Sequence, residues 1–462
     1  MACRAKPGRG ADMKRVVVVG GGLAGIAAAL HCAGDGAEVT LVESRGRLGG
    51  AAYSFVRDGI QADNGQHVFL RCCTAYRELL ERIGAADLVT LQPRLSIPVL
   101  APGGKLVYLR RSGLPAPLHL AGALAQYRHL GLRQRVSVAR AIRALDHVDP
   151  DDPSADVRSF GNWLSEQGQG EDAVRTMWEL IARPTLNLLA VDASLAQAAY
   201  VFQEGLLRDP TAGDVGYARV PLGEIHDAAA RRALAEAGVE VRLRRGVTAI
   251  VPEVDGFRVE INAAPSLAAD AVILAVPHDR AARLLPSDSG VDPTRLAGLG
   301  TSPIVNVHVV YDRHVFDLAF AAGVRTPVQW VFDRTRGARL EHGQYLVVSL
   351  SAAEAELDMS GDDLRDRFLP ALADLLPAAR EARVETFFVT REHAATFRAA
   401  PGARARRPGP RTAIPGLALA GAWTDTGWPA TMEGAVRSGH AAAREVLPTL
   451  VRELEPRTAV AV

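Results

Sequence analysis

The sequence predicts an α/β protein in which a doubly wound, parallel-sheet domain is assembled from separated stretches and interleaved with a mixed α+β domain. Three observations carry that prediction. A strand, glycine turn, helix and strand open the chain at residues 15–43. The same alternation of apolar strand and amphipathic helix returns near Pro221 and again after residue 411. Between these pieces lie two inserts of other character, one arginine-rich with helical patterning and one with β-type runs. The boundaries read as 1–87, 220–300 and 405–462 for the first domain, and 88–219 and 301–404 for the second. With 462 residues, 48% hydrophobic and 23% charged, the chain is long enough for both and too apolar for general disorder.

Each element has a local reason. Residues 15–19 (RVVVV) are β-branched and apolar on both faces, as a buried parallel strand requires. Residues 20–25 turn the chain, 26–33 form a helix of small residues and 37–43 a second strand. The uncharged run 16–33 is thus strand, clustered glycines and helix, not a membrane span. Residues 76–83 make a short helix ended by Gly84. From 88 to about 219 the chain reads as helical, with segments at 118–145, 159–167, 171–181 and 194–207 and loops at 115–117 and 149–153. Residues 222–237 are an amphipathic helix closed by Gly238. Strands follow at 239–243, 247–251, 256–261 and 271–275. The second insert contributes strands 304–311, 327–332 and 345–350, a helix at 362–376 and a strand at 384–389. Residues 400–411 (APGARARRPGPR) read as a linker before a short strand at 417–420 and a last helix at 431–447.

Gly20-Gly21-Gly22-Leu23-Ala24-Gly25 satisfies G-x-G-x-x-G between a strand and a helix. Gly20 makes the tight turn, Gly22 admits a pyrophosphate to the backbone, and Gly25 lets helix and strand pack closely. Leu23 and Ala24 lie in this turn, just ahead of a helix whose unpaired N–H groups suit phosphate. Glu43 ends the second strand, where it accepts hydrogen bonds from ribose hydroxyls. This is a Rossmann-type unit; the bland alternative is a glycine turn without ligand. The stretch 43–50 (ESRGRLGG) matches E-x-x-x-R-x-G-G and resembles the signature of the FAD-dependent amine oxidase and phytoene desaturase superfamily. That resemblance implies FAD, with Gly49 and Gly50 running along its phosphates, Arg47 holding the segment, and Arg45 and Ala51 in the same stretch. Most members carry an arginine where Ala51 stands, so one charge contact is missing or comes from elsewhere.

Residues 420–425 (AGAWTD) and 427–435 (GWPATMEGA) resemble the superfamily's second FAD motif. The resemblance implies that Asp425 meets a ribityl hydroxyl or phosphate, and that the Met432 amide, at a helix start, faces the flavin pyrimidine carbonyl. Ala435, Gly439 and Ala443 recur every four residues and would let that helix pack beneath the cofactor. The alternative makes Asp425 and Glu433 surface caps. Val247, in 246–250 (GVTAI), would pair the adenine through its backbone. The segment Asp63-Asn64-Gly65-Gln66-His67, with residues 70–73, 75–77 and 423–429 (WTDTGWP), resembles the flavin-proximal segment of bacterial hydroxysqualene dehydroxylases, also called squalene-associated FAD-dependent desaturases. More loosely, Trp178-Glu179 and Leu186-Asn187 fit the same group. The resemblance implies reductive removal of the hydroxyl of hydroxysqualene, a long isoprenoid, to give squalene for hopanoid synthesis. His67 is a candidate acid near the flavin, against a purely structural histidine. Trp163, Trp178, Tyr200, Phe202, Trp330 and Phe332 are candidates for substrate walls, against core packing. The competing functions are a carotenoid desaturase, an amine oxidase, and a flavin-free prenyl-binding escort protein. Amine oxidases of the superfamily commonly place a lysine near the flavin late in the chain, and here no lysine follows Lys105.

Net charge is +1, which gives no footprint for nucleic acid. It is a sum of unlike parts. Residues 88–145 hold nine basic residues and no acid, so the rest of the chain carries −8. Arg128, Arg133, Arg135 and Arg140 accompany Leu118, Leu120, Leu124, Leu130, Leu132 and Val136, which reads either as a solvated basic face or as peripheral contact with an anionic membrane. Cys3, Cys32, Cys72 and Cys73 all precede residue 74 and form neither a disulfide framework nor a metal C-x-x-C pair, so no metal is expected and a cytoplasmic setting is, at the inner face of the cell membrane if that contact is made. Residues 1–13 lack the apolar core of a signal peptide and read as a polar tail or a start ahead of Met13.

Overall fold

In a computed structural model, residues 14–451 are described. The tail expected at 1–13, with Cys3, lies outside them. A five-stranded parallel sheet runs in the order Glu240–Arg242, Glu38–Val42, Arg15–Val19, Ala271–Leu274, Leu417–Leu419. Arg15–Val19 is central and buried on both faces, which is why four consecutive valines suit it. Val16 and Val18 pack with helices Leu23–Gly34 and Met432–Val451; Val17 and Val19 join a core shared with the antiparallel sheet Val247–Glu253, Gly256–Ile261, Leu267–Ala269. The small-residue stripe of the last helix serves helix packing: a Cβ on Gly439 would sit 2.2 Å from the Ala24 carbonyl oxygen in the first helix. The stripe expected beneath the cofactor therefore lies against protein.

The second sheet has seven strands, in the order Val384–Phe397, Thr301–Tyr311, Gln344–Ser351, Trp330–Asp333, Phe320–Gly323, Ser96–Ala101, Lys105–Arg110. Its last two strands correct the helical reading of residues 88–219. Gly103 and Gly104, with φ of 77° and 71°, turn the hairpin between them. Val89–Leu91 and Val215–Ala218 are further strands in that stretch, joined to Val68–Leu70. The helix expected over 118–145 is broken into Leu118–Leu120, Ala121–Gln126 and Leu132–Asp146. Gly131 caps the last of these, and its amide donates to Gln134 Oε1 at 2.8 Å. The strand read as ending at 389 continues to Phe397 through an irregularity in register with Thr301–Tyr311. The 400–411 linker is held: Arg404 Nη1 donates to the Pro150 carbonyl at 2.6 Å, and Arg407 is buried.

Asp214 ties these parts together. Its carboxylate is fully buried and accepts from Arg71 Nε at 2.9 Å, Arg111 Nε at 2.7 Å and the Leu95 amide at 2.7 Å. Burial works to raise its pKa, but the bonds from Arg111 and Arg71 carry it below the usual carboxylate value. Removing the acid leaves Arg111 uncompensated in a nearly water-free site, which costs about 3–5 kcal/mol. Asp214→Ala is therefore expected to lower the thermal unfolding midpoint clearly, and Asp214→Asn by less; an unchanged midpoint in Asp214→Ala would remove Asp214 as the anchor.

Candidate active site

Three glycines of the first turn have different reasons to be glycine. Gly20 has φ 109°, and a Cβ there would lie 2.3 Å from the Ala275 carbonyl oxygen. On Gly25 a Cβ would lie 1.9 Å from the Gly20 carbonyl oxygen. Gly22 is different: the nearest protein atom to its Cβ position is Gly50 Cα at 3.7 Å. The protein does not fill that space. The helix beginning at Leu23 has no side-chain cap and no acid in its first turn, although Leu23, Ala24 and Gly25 are buried. A buried, uncapped helix start is a site for an anion.

The second glycine turn rests on the first. Gly49 donates its amide to the Gly21 carbonyl at 2.9 Å, and a Cβ on Gly50 would sit 2.8 Å from Gly22 Cα. Arg47 Nη1 donates to the Gly50 carbonyl at 3.0 Å while its guanidinium lies 3.5 Å over the Tyr53 ring. Glu43 is buried; Oε2 accepts from the Gly21 amide and Oε1 from the Arg45 amide, both at 2.7 Å. The Arg45 side chain is exposed, and its carbonyl accepts from the Arg244 amide at 2.9 Å. Val247 follows directly, buried at the start of an edge strand. The Arg245 amide donates to the Glu43 carbonyl at 2.9 Å, so the chain leading into Val247 runs alongside the loop that follows Glu43.

Ala51 offers no charge. Its carbonyl accepts from Asn64 Nδ2 at 2.8 Å, and the Tyr53 amide donates to Asn64 Oδ1 at 3.0 Å. Glu392 Oε1 in turn accepts from Asn64 Nδ2 at 3.1 Å and from the Tyr53 hydroxyl at 3.0 Å, while Asn306 Nδ2 donates to the Asn64 carbonyl at 2.9 Å. Asp63 is buried and accepts from Arg334 Nη2 at 2.8 Å, Ser54 Oγ at 2.6 Å and the Leu222 amide at 2.9 Å. His67 lines a cavity of about 20 Å³, room for roughly one water, with Asp63, Arg334, Tyr217 and Phe332. Burial pushes the His67 pKa down, and the charges of Asp63 and Glu392 offset part of this.

At the other end of the chain, Arg407 organises the loop before Met432. It donates to the carbonyls of Thr424 at 2.6 Å, Trp428 at 2.7 Å, Ala422 at 3.2 Å and Trp423 at 3.3 Å, and burial brings its pKa down to about 10. Trp423 Nε1 donates to the Val276 carbonyl at 2.8 Å, beside Gly20. Asp425 is half-buried and accepts from the Gly427 amide at 3.2 Å. Met432, half-buried, opens the last helix. Glu433 is not a surface cap. It is fully buried and accepts from the amides of Ala75 at 3.1 Å and Tyr76 at 2.7 Å, capping helix Thr74–Arg82 across space.

The aromatic candidates divide. Trp163, Trp178 and Phe202 pack with Phe160 in a buried cluster, which is core. Tyr200 meets Trp428 edge-on at 5.5 Å. Trp330 and Phe332 stand with Phe320 and Tyr217 in a chain of rings 5.7–6.3 Å apart. Tyr217 and Phe332 line the His67 cavity. Sequence reasoning missed Glu392, Asn306, Arg334 and Arg407; only Arg407 carried a signal, as an arginine in a segment otherwise marked as a loop.

The model of the flavin containing amine oxidoreductase family matches residues 23–447. The chain belongs to this family. It is an FAD-dependent oxidoreductase of mixed α/β fold. It is 29% identical to a hydroxysqualene dehydroxylase of Rhodopseudomonas palustris over 94% of this chain and 98% of that one. A zeta-carotene desaturase of Synechocystis is 25% identical over 95% and 98%. Among solved structures, a putrescine oxidase superposes with a TM-score of 0.70 at 20% identity, covering 94% of this chain and 99% of that one. The uncapped helix start and the space above Gly22 fit the diphosphate of FAD.

Gly22 and Gly25 give opposite expectations. Gly25→Ala drives a methyl into the Gly20 carbonyl and should yield little folded protein. Gly22→Ala should melt like the flavin-free parent but retain much less flavin, read as the flavin-to-protein absorbance ratio. Full flavin content in Gly22→Ala would contradict the fit.

Proposed function

We propose that this flavoprotein removes the hydroxyl of hydroxysqualene reductively and releases squalene, in the cytosol, for hopanoid synthesis. The observation that carries this reading is the run of rings Tyr217, Phe320, Trp330 and Phe332, rooted in the core, of which Tyr217 and Phe332 line the cavity of His67. Such a wall suits a long apolar chain and a delocalised cation. Two relatives by name, the hydroxysqualene dehydroxylases of Rhodopseudomonas palustris and Sinorhizobium fredii, at 29% and 28% identity over almost the whole chain, support the same substrate.

Bound FAD, once reduced, supplies a hydride. The chain does the rest. Gly20, Gly22, Leu23, Ala24, Gly25, Gly49 and Gly50 would hold the diphosphate, Glu43 would hold ribose hydroxyls, and Arg45, Arg47 and Ala51 would continue that surface. Val247 would pair the adenine, Asp425 would hold a ribityl hydroxyl or phosphate, and the Met432 amide would face the flavin ring. The allylic carbon–oxygen bond would break, the reduced cofactor would supply the hydride of the new carbon–hydrogen bond, and a proton would complete the departing hydroxide as water. His67 is the donor of that proton. The aromatic wall excludes water from the cation until the hydride arrives.

Desaturation of a carotenoid is the second reading, favoured by the zeta-carotene desaturase relatives. The experiment is anaerobic incubation with photoreduced FAD and hydroxysqualene, extracted for squalene. Squalene is expected; none, together with turnover of a polyene, would transfer the assignment to desaturation. A pH profile tests His67 separately. Its lowered pKa means the imidazolium exists only below the ordinary histidine value. The rate of flavin reoxidation by hydroxysqualene should therefore rise as pH falls below about 6.5, and this limb should vanish in His67→Gln. A limb that survives the substitution would remove His67 as the donor.

A further inference from the structure

We propose that the protein docks on an anionic lipid bilayer through a basic, apolar patch built from residues 94–143, a surface that the reaction does not explain and that holds whichever isoprenoid is the substrate. The structure changes the composition of this patch from that expected. Leu130 is buried, and Leu120 and Leu124 pack against the core, so they are not available. The apolar side chains that stand in water are Leu132 (71% exposed), Leu118 (57%), Leu114 (52%), Val136 (45%) and Leu106 (41%). Every exposed leucine among the described residues falls in this stretch.

These residues occupy adjoining elements. Leu106 is on the edge strand Lys105–Arg110, against which helix Ala121–Gln126 packs. Leu114 and Leu118 belong to a loop closed by the Ser112 amide on the His119 carbonyl at 2.8 Å, leading into that helix. Leu132 and Val136 share one stripe of helix Leu132–Asp146, whose Arg135 bonds the Ala125 carbonyl.

The charges point the same way. Among the described residues, Arg111 alone of the nine cations in 88–145 has an ion-pair partner, the buried Asp214. The side chains of Arg94, Lys105, Arg128, Arg133, Arg140 and Arg143 are exposed and make neither an ion pair nor a hydrogen bond among the described residues. Two nearby acids are engaged elsewhere, Asp172 by Arg325 and Gln134 and Asp374 by Arg380, while Asp146, at the far end of helix Leu132–Asp146, is exposed and offsets one of these cations. Elsewhere the surface arginines are extensively paired, as Arg258 is with Glu253 and Glu260. Unpaired cations around exposed leucines match phosphate headgroups above an acyl boundary. A solvated basic face has no use for the leucines, and with no described helix long and apolar enough to span, the contact lies on one leaflet.

The test is co-sedimentation of the holoenzyme with vesicles of phosphatidylglycerol and phosphatidylcholine, against pure phosphatidylcholine. The parent should bind the anionic vesicles and not the neutral ones. Arg128→Gln, Arg133→Gln and Arg140→Gln together should weaken partitioning roughly a hundredfold, at about fivefold per cation. Leu114→Ser, Leu118→Ser and Leu132→Ser together should weaken it at least tenfold. A control triple in exposed arginines elsewhere, Arg232→Gln, Arg283→Gln and Arg336→Gln, should bind as the parent does. Flavin content and melting temperature should match in all four proteins. Equal binding to neutral vesicles, retained binding in either patch variant, or equal loss in the control would each overturn the proposal. Squalene formation in detergent is a separate readout, so failure here leaves the reaction assignment standing.

Discussion

The closest constraint in the molecule is the contact of two glycine turns. Gly50 rests on Gly22, Gly49 bonds Gly21, and Gly25 approaches Gly20 more nearly than any Cβ allows. The parallel sheet ends at this contact, and the first helix begins at it. Buried Glu43 fixes its height, because one carboxylate oxygen holds the Gly21 amide while the other holds its own loop through Ser44 and Arg45. A methyl group at Gly20, Gly25 or Gly50 would separate strand, helix and turn together. Of the glycines in this contact, Gly22 alone leaves a side-chain position open, and that is the position from which a ligand can reach the helix start.

What binds the seven-stranded sheet to that contact is polar and buried. Asn64 has both ends of its amide engaged, joining Ala51 and Tyr53 to Glu392, and Asn306 holds its carbonyl. Asp63, the preceding residue, joins Arg334. A buried pair of this kind contributes little net stability against an apolar substitute, but breaking it on one side costs about 3–5 kcal/mol. Its consequence is specificity of placement. The second sheet has one way to sit against the glycine turns, since any slide of the strand carrying Glu392 would strand several donors without acceptors.

Sequence legibility followed the range of the forces. Gly20, Gly22, Gly25 and Glu43 were legible because their work is local: each acts within one strand–turn–helix unit. Arg47 was legible for the same reason, since its carbonyl partner is Gly50. Glu433 was not, because the amides it caps lie on a helix more than 350 residues earlier. Glu392 and Asn306 reach residue 64 across gaps of 328 and 242 residues, and nothing in their neighbours marks them. The hairpin at residues 96–110 was lost to composition: arginines on both sides made a helical pattern look continuous, while the turn glycines were the better signal. The aromatic residues show the same limit, since Trp178 and Phe332 are both buried in one core cluster and only the His67 cavity, which Phe332 lines, sets them apart.

Ala51 follows from this arrangement. A guanidinium at that position would enter a turn whose carbonyl Asn64 already holds, with Arg47 a few residues away stacked on Tyr53 and already desolvated. A second cation there, at an exposed position, would add to the like-charge repulsion from Arg45 that, after burial, already lowers the Arg47 pKa. Were FAD phosphates to lie at Gly22, the balancing positive potential would come instead from the uncapped start of the helix at Leu23, with partial charges fixed by the backbone. Those charges need no desolvated side chain and cannot swing away. The missing arginine is therefore consistent with a phosphate site built from backbone dipoles, in which the exact close-packing of four glycines replaces one mobile charge.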